Sequence, residues 1–296
     1  MEKQAAGKAK NHGKLNVYSR ERRRQWRGLL KLYKVCEEPP LWSMFGAGNR
    51  PSVYSLVALL SLLLVMLLAS AAARGDQLEA VDLELVLAVD VSSSVDPFEA
   101  RLQRQGYVYA LSHPVIIDAV NSGRLGRIAV LYVEWAGQTH QRIVVDWQVI
   151  DDQASAQNFS ARLAAQRIST APYTSISSLI DFARAEIHSN RYQGRRAVID
   201  ISGDGPNSDG RLVRDARDDA VASRITINGL PVLSTRPGPG GTSPPSTFLN
   251  SYYIDHVIGG PGAFTMEVNE YKNFGTTLLK KLQREIEQAM PNLSSL

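Results

Sequence analysis

The chain has 296 residues, 33 Lys or Arg against 29 Asp or Glu, and a single cysteine. Residues 1–50 hold 12 basic and 4 acidic residues, a net of +8, so the remainder carries a net of −4 and the overall +4 hides two unlike parts. A mildly acidic body excludes a nucleic-acid footprint there, and the lone Cys36 leaves the chain without an internal disulfide, so the fold must be held by its core.

The basic head precedes an apolar run, Leu56 to Leu68, that ends in Ala69-Ser70-Ala71-Ala72-Ala73. Positive residues, an apolar core and small residues in that order describe a signal peptide, and the same stretch also suffices as a membrane anchor. The expected organisation is a basic cytoplasmic leader over 1–52, a signal-peptide core or anchor over 53–73, and a folded domain over 82–290. The leader is long for a signal peptide, and translation from Met44 gives one of ordinary length. Either form keeps the basic end in the cytoplasm and sends the domain to the periplasm or the exterior.

Beyond a short linker, Leu83, Leu85, Val86, Leu87 and Val89 form a short apolar run, as in a strand covered on both faces. It stops at Asp90-Val91-Ser92-Ser93-Ser94, and Pro97 opens a helix to about Ser112. Strands follow at 127–135 and 142–147, close enough together to form an antiparallel hairpin at a sheet edge. Amphipathic helices are expected at 151–166 and 175–190. Then come a strand over 196–202, a helix over 212–222, a strand over 225–233 and a Pro- and Gly-rich loop from Ser234 to Ser246. A helical stretch over 248–257, a sixth strand over 263–268 and a closing helix over 271–290 complete the chain. Strands alternating with helices predict an α/β fold with a mostly parallel sheet.

Three loops converge at the carboxyl ends of these strands, where open α/β sheets bind ligands. Asp90, Ser92 and Ser94 follow the first strand, Thr174 precedes the helix at Ser175, and Asp204 follows the strand over 196–202. Two acids and three hydroxyls make an all-oxygen donor set, which suits a hard divalent cation such as Mg²⁺ held at about 2.0–2.1 Å. Each piece also has a plain reading. Ser92 to Asp96 and Thr174 are helix-cap residues, and Asp204-Gly205-Pro206-Asn207 is a turn. His113, His140, His188 and His256 have no ligand spacing, and no G-x-S-x-G elbow is present.

With these motifs in view, the chain resembles a von Willebrand factor A domain. Asp90-Val91-Ser92-Ser93-Ser94, Thr174 and Asp204 match its metal-ion-dependent adhesion site in type and order. Glu134-Trp135-Ala136-Gly137, Asn228-Gly229-Leu230-Pro231 and the segment from Val257 to Phe264 resemble an exported bacterial branch of such domains with no assigned function. The resemblance implies a Rossmann-like, doubly wound sheet of six strands in the order 3-2-1-4-5-6. It also implies a Mg²⁺ cofactor, with Mn²⁺ or Ca²⁺ as alternatives, held by Asp90, Ser92, Ser94, Thr174 and Asp204. The coordination is completed by an acidic side chain of a protein partner. The expected function is therefore an exported, metal-dependent protein-binding module rather than an enzyme, touching a membrane only through its N-terminal segment. A metal-dependent hydrolase or phosphatase in the same pocket is the alternative, and the loop from Ser234 to Ser246 is expected to shape the partner surface.

Overall fold

The computed structural model describes residues 54, 57, 58, 60–63, 78–233 and 246–288. The chain divides into Met1–Arg74 and Gly75–Leu296. In the first unit the described residues are helical and exposed. Among the described residues, no helix is long and apolar enough to cross a membrane. The leader over 1–52, most of the apolar segment over 53–73 and nearly all of the loop from Ser234 to Ser246 lie outside the described residues.

The second unit runs β1 (Glu79–Asp90), α1 (Pro97–Leu111), α2 (Pro114–Asn121), β2 (Ile128–Trp135), β3 (Gln141–Ile150), α3 (Gln153–Ala164), α4 (Ile176–Ser189), β4 (Tyr192–Gly203), α5 (Val213–Ala222), β5 (Ile225–Pro231), α6 (Ser246–Tyr252) and α7 (Phe274–Gln288). A π-helical turn, Tyr253–Val257, continues α6, and a 3-10 turn, Tyr271–Asn273, precedes α7. The strand order is β3-β2-β1-β4-β5, with β3 antiparallel at the edge and the other pairings parallel.

The sheet has five strands, not the six expected. Residues 263–268 do run beside β5, but only through isolated bridges, Gly229 to Thr265 and Val232 to Val268. The pairing is incomplete because Pro231, between the two bridges, has no N–H to donate, and before the first bridge the Phe264 N–H goes to the Asn228 side-chain oxygen at 3.0 Å. A second difference lies at the start of β1, which begins at Glu79 and not at Leu83. Asp82, which reads as linker, and Glu84, inside the expected strand, are both buried and satisfied in it. Asp82 accepts the Leu125 and Gly126 N–H groups at 2.8 and 2.9 Å, and Glu84 accepts Asn190 and Gly194 at 2.7 and 2.6 Å.

Alternation along β1 divides the core, because successive strand side chains point to opposite faces. Leu83, Leu85, Leu87 and Val89 pack with Tyr107, Ile116, Phe159, Phe274 and Leu278 of α1, α2, α3 and α7. Val86 and Ala88 face Ile176, Leu179, Ala216, Leu249 and Tyr253 on the other side. Each such fully buried large side chain contributes roughly 1.5–3 kcal/mol. The α1–α7 approach depends on small residues: a Cβ on Gly106 would lie 2.5 Å from Phe274 Cδ1 and 3.2 Å from the Gly275 backbone. This packing fixes the C-terminal edge of β1, β2 and β4, where the three loops open.

Candidate metal centre

β1 delivers Asp90 to that edge as its last residue, fully buried. Asp90 Oδ1 accepts the Ser92 N–H at 2.7 Å, which folds the chain sharply over the carboxylate. Ser92 Oγ lies 3.0 Å from Ser94 Oγ, and Ser94 Oγ donates to Asp204 Oδ1 at 2.7 Å. One chain of oxygens thus joins Asp90, Ser92, Ser94 and Asp204 across two loops.

The helix-cap reading of Ser92 and Ser94 fails, because Asp96 caps α1. Its carboxylate accepts the Phe98 and Glu99 N–H groups at 2.6 and 2.7 Å, with Glu99 completing a capping box. Likewise the cap of α4 is Ser175, not Thr174. Thr174 is bonded through its backbone to the loop after β4: it donates its N–H to Ser208 Oγ at 3.1 Å and accepts the Ser208 N–H at 2.8 Å. Its loop is pinned to the first one, since the Ala171 N–H reaches Val91 O at 3.3 Å and Ser93 Oγ reaches Ala171 O at 3.2 Å. Just before Thr174, Tyr173 is exposed with φ of 66°, a left-handed conformation that a tyrosine adopts only under constraint.

The edge is braced from below by Glu134 at the end of β2. It is buried between Arg104 of α1 and Arg142 of β3, the latter with Nη2 2.5 Å from Oε2. Arg104 Nη1 also donates to Leu163 O and Gln166 O at 2.9 and 3.0 Å, and Arg142 reaches Arg167 O at 2.6 Å. These guanidiniums bind the carbonyls that end α3 and so hold the segment leading to Thr174.

The donor set fits a hard divalent cation. Asp90 Oδ2 is buried without a hydrogen-bond partner, an unusual state for a carboxylate oxygen. Burial, followed by the negative charge of Asp204, pushes Asp90 up to about 7, while hydrogen bonds from Ser92 and the Asp204 backbone offset part of that rise. Asp90 is thus a fully buried acid placed beside a second one, Asp204. A Cβ on Gly203 would sit 3.1 Å from Asp90 Oδ2, 2.7 Å from Tyr253 Oη and 3.3 Å from Trp135 Cζ2, so glycine alone fits the wall of this cradle. Among the described residues no three His, Cys, Asp or Glu side chains come together as a metal-binding group, and the oxygens bonded in line with Asp204 are the hydroxyls of Ser92 and Ser94.

Tyr253 was not foreseen from the sequence. Its hydroxyl is fully buried with no hydrogen-bond partner, and burial, then Asp90 and Asp204, push it well above the ordinary tyrosine value. It reaches the site from the turn after α6, where no motif marks it. The only signal is an aromatic at helical spacing from Leu249.

The chain is similar to several solved structures. A von Willebrand factor type A protein from Catenulispora acidiphila matches at 10% identity with a TM-score of 0.45, covering 71% of this chain and 43% of that one. Proximal thread matrix protein 1 from the mussel byssus, with a zinc-occupied MIDAS motif, matches at 14% identity and a TM-score of 0.46, covering 71% of this chain and 47% of that one. The conserved hypothetical protein BatB from Bacteroides thetaiotaomicron matches at 16% identity and 0.45, covering 70% and 98%. The chain therefore spans under half the length of the first two. No curated protein matches it. A family model described as a protein of unknown function, DUF1194, matches residues 80–290, and the chain belongs to that family.

Proposed function

We propose that the domain over 82–290 is a protein-binding module that uses a divalent cation, Mg²⁺ by the all-oxygen character of its ligands, to capture an acidic side chain of a partner. The observation that carries this reading is Asp90 Oδ2, buried and without a hydrogen-bond partner beside a second acid. Asp90 and Asp204 supply negative charge, and Ser92, Ser94 and Thr174 supply neutral oxygens. A bound divalent ion supplies a positive centre with a coordination position left for an outside oxygen. The chain's own residues orient that position: Ser92 and Ser94 are fixed by the Asp90 turn, and Thr174 by Ser208. Two carboxylates roughly neutralise a doubly charged ion, so a partner carboxylate meets little repulsion. Tyr173, exposed one residue before Thr174, shapes what fits there, and the loop from Ser234 to Ser246 is proposed to shape the partner surface.

The basic head and apolar run over 53–73 support export, so the module acts in the periplasm or outside the cell, free or anchored. The test is capture of acidic peptides on a solid support by the full chain in Mg²⁺ and in EDTA. The reading requires capture in Mg²⁺ that is lost in EDTA and in Asp90→Ala, with the peptide recovered intact. Turnover of a phosphoester that disappears in Asp90→Ala would instead favour a hydrolase.

A further inference from the structure

A second polar centre lies under α7, on the face of the sheet that carries α1. Lys281 is fully buried, with Nζ 2.5 Å from Asp200 Oδ1 on β4 and 2.5 Å from Glu285 Oε1 one helical turn later. Asn228 of β5 donates Nδ2–H to the same Glu285 oxygen at 2.9 Å. The Phe264 ring, whose N–H is held by Asn228, lies 5.3 Å from Lys281 Nζ. Two segments singled out in the sequence, Asn228-Gly229-Leu230-Pro231 and Val257 to Phe264, therefore converge on this lysine.

The centre is electrically awkward. One ammonium faces two carboxyl groups in a site closed to solvent. Asp200 Oδ2 and Glu285 Oε2 are both buried without a hydrogen-bond partner. Burial, then the charge of Asp200, pushes Glu285 up to about 7. Burial opposes the charge on Lys281, and Asp200 and Glu285 outweigh it, holding the ammonium above its ordinary value. A buried ion pair bears a desolvation penalty that a neutral product does not. An amine and a carboxyl held in contact also react as though at very high concentration.

We propose that Lys281 and Asp200 condense into an intramolecular amide, with Glu285 as the proton carrier. Lys281 passes one ammonium proton to Asp200 Oδ1, 2.5 Å away, leaving a neutral amine beside a neutral carboxyl group. The freed Nζ lone pair attacks Asp200 Cγ and forms the C–N bond. Glu285, as the carboxylate 2.5 Å from Nζ, takes the excess proton of Nζ and passes it to the Oδ1 hydroxyl as the Cγ–Oδ1 bond breaks. The products are one amide and one water, Glu285 returns to its starting form, and nothing is oxidised or reduced. The bond ties β4 to α7 across 81 positions of sequence in a chain that has no disulfide to do so.

The test is a tryptic digest of the denatured full chain read by mass spectrometry, which is indifferent to processing at the N-terminus. The proposal requires a branched peptide joining 197–211 to 281–284, lighter than the sum of its two parts by one water, with no cleavage after Lys281. Linear 197–211 at its full mass, together with cleavage after Lys281, overturns it. In Glu285→Gln the same two peptides are expected to be linear. A branched peptide persisting in that variant overturns the part given to Glu285.

Discussion

Ser94 Oγ donates to Asp204 Oδ1 at 2.7 Å, joining two loops that are 110 residues apart in the chain. This single bond turns two turn-forming segments into one oxygen-lined site. Ser94 is exposed and outside any core contact, so Ser94→Ala is expected to leave stability within about 0.5 kcal/mol of the wild type. The same variant is expected to weaken divalent-metal affinity by roughly 10–100-fold, as removal of groups that bind or orient a ligand set does. Denaturant melts and metal titration of the same preparation check both parts.

Gly203 lies where no side chain fits. An added Cβ would stand 2.7 Å from the Tyr253 hydroxyl and 3.1 Å from Asp90 Oδ2. Gly203→Ala is expected to cost about 1–3 kcal/mol through overpacking. Adding Tyr253→Phe removes the atom in the way, and the double variant is expected to recover part of that loss. A double-mutant cycle by urea denaturation measures the coupling.

Arg104 and Glu134 form a buried pair, with Arg104 also satisfying the Leu163 and Gln166 carbonyls. Removing Arg104 leaves Glu134 to Arg142 alone and unpairs the two carbonyls, at a cost of about 3–5 kcal/mol. Arg104→Ala is therefore expected to destabilise the domain severely and to raise protease cutting in the segment over 165–173. Arg104→Met, which likewise leaves Glu134 to Arg142 alone, is expected to behave alike, whereas adding Glu134→Leu removes the buried carboxylate and is expected to recover part of the stability. Thermal melts of the three variants check the ranking.

Asp152 caps α3, and hydrogen bonds from the Ser155 backbone and side chain hold its carboxyl below the ordinary 3.8. A carboxyl lowered on folding stabilises the fold above its unfolded value, and that contribution is lost as pH falls through the folded one. The acid limb of stability below about pH 4 is therefore expected to be shallower in Asp152→Asn, which keeps a cap but does not titrate. Urea midpoints measured from pH 5 down to pH 2 check the slope.

The parts of the fold that local pattern dictates were readable. The apolar run ending at Asp90, the hairpin of β2 and β3 and the amphipathic α4 follow from periodicity alone. The Asp90, Ser92, Ser94 and Asp204 oxygens meet because a parallel sheet opens its loops at one edge. What could not be read depends on contacts between distant residues. Asp82 looks like linker, and Glu84 like a charge out of place in an apolar strand, until the groups that satisfy them are known. Residues 263–268 carry a strand's composition, yet Pro231 has no N–H for the ladder and Asn228 takes the Phe264 N–H. Tyr253 and Lys281 reach buried polar centres from helical segments, and helical spacing says only that a face is inward.

The central claim is that the Asp90 cradle holds a divalent ion, and calorimetric titration of MgCl₂ into the EDTA-treated, dialysed full chain tests it most directly. The account predicts saturable binding at one site per chain, abolished in Asp90→Ala. Absence of binding by folded wild type, or equal binding by folded Asp90→Ala, would contradict it.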